Sequence, residues 1–325
     1  MKAVWYEKFG AASEVLKVGE MADPVAGPGE VLVRIKATGV NPSDVKRRAG
    51  ARPGAVMEFP QVIPHSDGAG VIEAVGDGVD PARIGTRVWL WNAAWQRAIG
   101  TAAELVALPA HQAVDLVDGV SFEDAACFGI PAMTAWYALF AQGPIDGKTV
   151  LVTGGAGTVG RYACQMAKLG GARVITTVSS AEKGVHSTTQ DWINYREGNV
   201  TAAVMDLTDG AGVDLIVDVD FAANQSLAVD VLKPSGTIAA FASASEMVPA
   251  LQFYPLMFRD VTLRMLIVYQ IDLQTHQKGA AQLATWLDSG ALSHAAVVMD
   301  GLDQMAAAHD LVASGDKLGT VVVTL

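Results

Sequence analysis

The sequence predicts an α/β protein in which a doubly wound parallel sheet is inserted in a β-rich outer domain. Between residues 126 and 268, short β-branched runs alternate with helix-like stretches. That alternation is the pattern of a parallel sheet covered by helices on both faces. A glycine-rich turn, Gly154-Gly155-Ala156-Gly157-Thr158-Val159-Gly160, joins the first of those runs to a helix. On either side the texture differs. Residues 1–125 read as short strands separated by glycine and proline, and residues 269–325 as helix, short strand, helix and closing strand.

Composition sets the class before any motif is read. A length of 325 residues fits two domains of ordinary size. Apolar residues at 51% against 18% charged supply ample material for two cores and argue against disorder. The net charge of −11 is spread along the chain, which disfavours nucleic acid as the main partner because phosphate binding wants a net basic surface. No run reaches the roughly 18 apolar residues that span a bilayer, and the first residues lack a signal-peptide core. A cytoplasmic protein without a membrane partner is expected. Cys127 and Cys164 are too few and too far apart for a disulfide framework, and read as reduced core thiols on helices.

In the outer domain, the turn signal Gly27-Pro28-Gly29 precedes a strand at 31–37, and glycines bound a second strand at 68–76 and begin a third near 84–90. Ser121, followed by acidic residues, looks like a helix start. Strands are then expected at 149–153, 172–178, 213–218 and 236–241, with a helix at 159–170. A short strand at 295–299 and the closing strand at 319–325 are expected to return to the first domain. The expected organisation is therefore 1–125, an inserted 126–268, and a return segment 269–325.

The glycine turn carries the chemistry. Gly155, Gly157 and Gly160 fit G-x-G-x-x-G between a strand and a helix, the Rossmann arrangement for a dinucleotide. One glycine allows the tight turn, one lets backbone approach a pyrophosphate, and one lets helix pack on strand. The helix start adds free N–H groups and partial positive charge. Residues Gly155, Ala156, Gly157, Thr158, Val159 and Gly160 are thus cofactor-binding candidates. The bare pattern also fits a glycine-rich turn with no ligand; the flanking strand and helix favour the dinucleotide. About 20 residues on, an NAD site usually has a carboxylate for the ribose 2′-hydroxyl. Here the strand ends on Ser179 and Ser180, and Lys183 follows. Hydroxyls and a cation suit a 2′-phosphate, so NADPH is expected over NADH. Ser179 equally suits a helix N-cap.

Several segments together resemble the medium-chain dehydrogenase/reductase superfamily, in its zinc-independent quinone oxidoreductase (zeta-crystallin-like) branch. They are 1–4 (Met-Lys-Ala-Val), 39–44 (Gly-Val-Asn-Pro-Ser-Asp), 64–70 (Pro-His-Ser-Asp-Gly-Ala-Gly), 100–104, 129–135, the glycine turn and 193–197. The resemblance spans essentially the whole chain. It implies a GroES-like outer domain, a Rossmann domain, an active-site cleft between them, and hydride transfer from NADPH to a quinone or other conjugated carbonyl. It places Asn41 near the nicotinamide, as cofactor contact and as the one catalytic candidate. Thr134 would flank the cofactor, Ser180, Lys183 and Tyr195 would surround the 2′-phosphate, and Phe241, Ala242 and Ser243 would lie beside the nicotinamide. It further implies a homodimer through an edge strand at 263–269. Arg52, His65, Trp91, Trp95 and Tyr269 are candidates for the substrate cleft. Arg52 and His65 also read as surface charges, and the tryptophans as core. His65 departs from the family, which often has glycine there.

No metal is expected. A catalytic zinc needs about three protein ligands, yet the family's cysteine position falls near Asn41 and its histidine position near Ser66. Asp44 reads as a structural hydrogen-bonding partner. A reduced quinone is stable as a phenolate that solvent can protonate, so no general acid is required. The rival readings are an enal, enone or enoyl reductase, a zinc alcohol dehydrogenase, and a non-catalytic NADPH-binding sensor or crystallin-like protein.

Overall fold

A computed structural model describes residues 1–51 and 54–325. Arg52 lies outside the described residues. The chain forms two compact units, Met1–Ile130 with Gln282–Leu325, and Pro131–Ala281. Both divisions fall later than the changes of sequence texture at 126 and 269. Each lies within helical chain: the π-helical turn Phe128–Ala132 runs into the helix Met133–Phe140, and Leu273–Asp288 is a single helix.

The strands in chain order are β1 (Lys2–Trp5), β2 (Lys17–Glu20), β3 (Glu30–Val40), β4 (Asp67–Val75), β5 (Arg87–Leu90), β6 (Leu105–Pro109) and β7 (Ala113–Asp115). They continue with β8 (Thr149–Val152), β9 (Arg173–Val178), β10 (Asp191–Asn194), β11 (Val213–Asp218), β12 (Leu232–Ala240), β13 (Thr262–Met265), β14 (Ala296–Asp300) and β15 (Thr320–Thr324).

The first unit is organised by β3. Val31, Val33, Ile35 and Ala37 are buried at a period of two, so one face of the strand enters the core. One edge of β3 pairs antiparallel with β4 along nearly its whole length. The other edge is shared, with Glu30–Arg34 taken by β6 and Ala37–Val40 by β15. The C-terminal strand thereby joins the N-terminal sheet, whose order is β14-β15-β3-β4-β5-β7. Val31, Val33, Ile72, Val88, Leu90 and Val106 form one buried cluster of this unit.

The second unit is a six-stranded parallel sheet of order β10-β9-β8-β11-β12-β13. In chain order that is 3-2-1-4-5-6, the doubly wound arrangement that reverses beside its first strand. Leu151, Ile175, Ile216 and Ile238 sit together in the core with Phe221 and Val231, as a sheet covered on both faces requires. The reversal falls between β8 and β11, where such folds open a crevice at the carboxyl ends of the strands. No helix among the described residues is long and apolar enough to cross a membrane.

The 154–160 turn follows β8 directly and is closed by glycine. A Cβ on Gly155 would stand 2.0 Å from Thr176 Oγ1 of β9, and one on Gly160 would stand 2.3 Å from the Gly154 carbonyl oxygen. Gly160→Ala is therefore expected to destabilise the protein by about 1–3 kcal/mol, the usual range for overpacking. Denaturant melts check this; a variant as stable as the wild type would show that the turn can relax away.

Candidate cofactor and substrate site

At the switch point the carboxyl ends of β8 and β11 are tied by one hydroxyl. Thr153 Oγ1 donates to Asp218 Oδ1 at 2.8 Å and accepts from the Val219 N–H at 3.0 Å. Asp218 is fully buried and also accepts from Asn224 Nδ2 at 2.7 Å. Burial raises its carboxyl above the usual range, and the Asn224 and Thr153 bonds pull it back. The turn is pinned to β9 by the Gly154 N–H on Thr177 Oγ1 at 3.1 Å and the Gly155 N–H on the Thr177 carbonyl at 3.0 Å. Sequence reading missed Thr153, Thr177 and Asp218. Their only signal is a polar residue inside or just after a buried β-branched run.

Gly157 is the N-cap of the helix Thr158–Leu169 and has no side chain to occupy the helix start. A Cβ there would have one near neighbour, the Gly154 oxygen at 3.2 Å. Gly155 and Gly160 are thus closed against protein, while Gly157 faces open space with helix N–H groups beside it. Ala156, Thr158 and Val159 complete this turn. Such a cradle suits a pyrophosphate, whose charge the helix N-terminus favours.

The ends of β9 and β10 lie side by side, because Asn194 pairs in register with Val178. Ser179 and Ser180 follow β9, Tyr195 follows β10, and the Tyr195 N–H donates to the Val178 carbonyl at 3.0 Å. The N-cap of the short helix Ala181–His186 is Ser180, not Ser179; its Oγ accepts from the Lys183 N–H at 3.3 Å. Among the described residues no carboxylate forms an ion pair with Lys183. The Tyr195 ring is half exposed, with the Arg196 guanidinium 5.9 Å from its centre. Glycine-turn residues and this hydroxyl-and-cation edge are therefore parts of one sheet end.

Phe241, Ala242 and Ser243 leave the carboxyl end of β12 in the same unit. Phe241 N–H donates to the Asp218 carbonyl at 3.1 Å, and Ser243 Oγ accepts from the Ala222 N–H at 3.3 Å. Thr134 is buried on the helix Met133–Phe140, and Tyr269 is half-buried in the short turn Val268–Gln270.

In the first unit, Asn41 follows β3 directly and caps the helix Pro42–Ala49, with proline at the first helical position. Its backbone N–H donates to Asp44 Oδ2 at 2.8 Å, and its amide Nδ2 to Asp67 Oδ2 at 2.8 Å. All three residues are buried. Burial pushes the Asp44 carboxyl up to about 7 and the Asp67 carboxyl well above its usual range.

Two cleft candidates, His65 and Trp91, lie elsewhere. His65 is fully buried, not a cleft or surface residue, and its φ of 80° lies in the left-handed region that suits glycine. Its ring is held instead by a chain of bonds. Nε2 lies 2.9 Å from His309 Nε2, and Nδ1 lies 2.9 Å from Thr38 Oγ1. Thr38 Oγ1 is 2.7 Å from Thr101 Oγ1, which lies against the Asp67 carbonyl. Thr38 Oγ1 also reaches the Asp67 carbonyl at 3.3 Å, so either threonine hydroxyl can donate to it, and the direction of the histidine bonds follows the tautomer. Trp91 is core: it is 5% exposed and its Nε1 donates to the His111 carbonyl at 3.2 Å. Trp95 is half-buried. Cys164 lies on its helix, but Cys127 sits in a turn between helical segments; burial raises the two thiols to about 11 and 12. Among the described residues no group of three or more His, Cys, Asp or Glu side chains is placed to hold a metal ion.

Fold and turn together define a dinucleotide-binding α/β protein with a separate β-rich unit. Comparison with known proteins agrees. The family model for the alcohol dehydrogenase GroES-like domain matches residues 27–118, and that for zinc-binding dehydrogenase matches residues 158–286. A quinone oxidoreductase of Pseudomonas aeruginosa is 34% identical over 248 residues, 75% of this chain and 74% of its own. A 2-haloacrylate reductase of a Burkholderia species is 28% identical over 99% of this chain and 98% of its own. The solved structure of a Pseudomonas syringae quinone oxidoreductase superposes with TM-score 0.89 at 30% identity, covering 100% of this chain and 99% of that one. A mycobacterial protein solved in complex with NADPH gives 0.88 at 30%, covering both chains fully. The chain belongs to the quinone oxidoreductase family of the medium-chain dehydrogenase/reductase superfamily.

The histidine pair makes a measurable prediction. Burial, and then the charge of Arg48, lowers His309 to about 3, and burial lowers His65 well below the ordinary 6.5. Between pH 6.5 and about 3 the unfolded chain thus binds more protons than the folded one. Stability from the neutral pair is present above pH 6.5 and lost as the pH falls. Asp44, raised to about 7, acts oppositely, favouring the fold at low pH and losing that contribution as the pH rises. Denaturant melts of wild type and His309→Met separate the two. Relative to the variant, the wild type should lose about 1.4 kcal/mol per pH unit per imidazole below the ordinary value; equal slopes would contradict the assignment.

Proposed function

We propose that this chain is an NADPH-dependent oxidoreductase that passes a hydride to a quinone or other conjugated carbonyl without zinc. The observation that carries the reading is the β9–β10 edge. Ser179, Ser180, Lys183 and Tyr195 gather there, and no carboxylate ends β9. A 2′-phosphate gains hydroxyl donors and a cation at this edge, and meets no like charge on the strand end. Glu182 is exposed on the following helix. The NADPH complex of the mycobacterial neighbour supports the same cofactor.

The residues present fit that cofactor. The open backbone at Gly157 and the helix start would hold the pyrophosphate; Asn41, Thr134, Phe241, Ala242 and Ser243 are the contacts that the family likeness assigns to the nicotinamide end. When bound, the nicotinamide supplies the hydride. The chain supplies orientation and hydrogen bonds. Asn41 is suited to orient the acceptor oxygen or the nicotinamide, because carboxylates grip it at both backbone and side chain. A two-electron-reduced quinone leaves as a phenolate that solvent protonates, so no acid need be built in. Trp95 and Tyr269 remain the substrate-side candidates. Zinc independence is supported by the donor set, with Asn41 and Ser66 where ligands would be needed.

The 2-haloacrylate reductase relative favours a second reading, reduction of a carbon–carbon bond conjugated to a carbonyl. Product analysis with a quinone and an enone separates the two. The proposal includes a homodimer: β13 is an edge strand, and Met265, Phe253, Tyr254 and Phe258 are exposed on or beside it.

Lys183→Ala should raise the KM for NADPH by about tenfold or more while leaving that for NADH within about twofold, as loss of one charge-assisted contact implies. An equal effect on both cofactors would remove Lys183 from the phosphate site. Asn41→Ala should lower kcat by about tenfold or more with little change in NADPH affinity; unchanged turnover would remove Asn41 from the mechanism.

A further inference from the structure

We propose that Asp67 is a positioning residue that fixes the Asn41 side-chain amide in one of its two orientations, nitrogen towards Asp67 and carbonyl oxygen away from it. This rests on the reading of Asn41 given above. An amide turned by half a rotation occupies almost the same space, so packing alone distinguishes its two ends poorly. The Asp67 carboxyl distinguishes them where its Oδ2 carries no proton, because that oxygen then accepts and cannot donate. Asp67 Oδ2 accepts from Asn41 Nδ2 at 2.8 Å, and Asp44 accepts from the same residue's backbone N–H. The amide nitrogen gives one N–H to Asp67, and the second N–H and the carbonyl oxygen are thereby held in fixed directions.

The surroundings are arranged for this contact. Gly39 of β3 lies opposite Asp67 in register, where a Cβ would meet the Ala126 carbonyl at 2.2 Å and Asp67 Cβ at 3.2 Å. A Cβ on Gly129 would stand 2.4 Å from Asp67 Oδ1. Two glycines thus leave the carboxyl its room. Asp67 is fully buried, and no cation forms an ion pair with it among the described residues. A buried carboxylate without an ion partner costs stability that an apolar residue of similar size would not. The fold alone gives no reason to keep a carboxyl here; the orientation of Asn41 does. The backbone carbonyl of Asp67 is also the terminus of the chain of bonds from His309, so β4 is held at this residue from both sides.

The test uses Asp67→Leu, Asp67→Asn, Asn41→Ala and the double variant Asn41→Ala/Asp67→Leu in the full chain. Steady-state rates with NADPH and a simple quinone should fall about tenfold or more in kcat for Asp67→Leu, with KM for NADPH within about twofold. Asp67→Asn keeps a carbonyl oxygen for the same bond and should lose less. In the Asn41→Ala background Asp67→Leu should add less than about threefold, because the two residues act as a unit. A full additive loss in that background would mean that Asp67 acts through the fold, and would overturn the proposal. A second readout does not depend on turnover: exchange of the Asn41 side-chain amide protons by NMR, assigned by their loss in Asn41→Ala. These protons should be protected in the wild type and exposed in Asp67→Leu. Where Asp67→Leu does not fold, Asp67→Ser, too short to reach Asn41, is read the same way. Protection that survives loss of the carboxylate overturns the proposal, even if Asn41 is catalytic. If Asn41→Ala keeps full turnover while its amide protection still depends on Asp67, the catalytic reading of Asn41 fails and the orientation stands.

Discussion

The nucleotide end of this molecule depends on how closely the turn after β8 approaches β9. Gly155 lies so near Thr176 that no side chain fits between them, and Gly160 packs the following helix on Gly154. These two contacts set where the helix Thr158–Leu169 begins. Its first N–H groups therefore open at the carboxyl ends of the strands, beside the point where the strand order reverses. Gly157, the third glycine, packs least and so leaves backbone available to a phosphate. The hydroxyl of Thr153 then ties β8 to β11 across the reversal, so the turn is anchored on both neighbouring strands.

The first unit uses different means. Its central strand, β3, is long enough to be shared by β6 and β15 on one edge, which brings the C-terminal strand to the N-terminal sheet. At the end of β3 the chain buries Asn41, Asp44 and Asp67 together, and behind them His65, His309, Thr38 and Thr101. Polar groups taken out of water must find partners within the protein. Here their bonds form one continuous chain between His309 and the Asp67 carbonyl. A network of this kind defines a single arrangement, at the cost of stability that varies with pH.

Much of the fold was legible in the sequence. Alternation at 31–37 marks β3, and the β-branched runs at 149–153 and 213–218 mark the two strands at the switch point. The glycine turn was legible because its spacing and its position between strand and helix agree. The edge at Ser179, Ser180 and Lys183 was legible as a missing carboxylate, although its cap is Ser180. Side-chain burial was harder to read. His65 looked like a cleft or surface residue because its partner, His309, is 244 positions away and belongs to a helix that only the folded unit brings near. Trp91 read both as a cleft candidate and as core, and it is core: its ring is buried, with its Nε1 on a backbone carbonyl. Asp67 was legible only as part of the 64–70 motif; the register of β3 and β4 and one side-chain bond set it against Asn41.

The proposed function is hydride transfer from NADPH to a conjugated carbonyl without zinc. The most direct measurement is the rate of cofactor oxidation by a simple quinone, using protein stripped with a chelator, with NADPH and NADH compared side by side. Rapid turnover that prefers NADPH and is unchanged by added zinc is the expected result. Turnover restored only by zinc, or equal use of both cofactors, would contradict it.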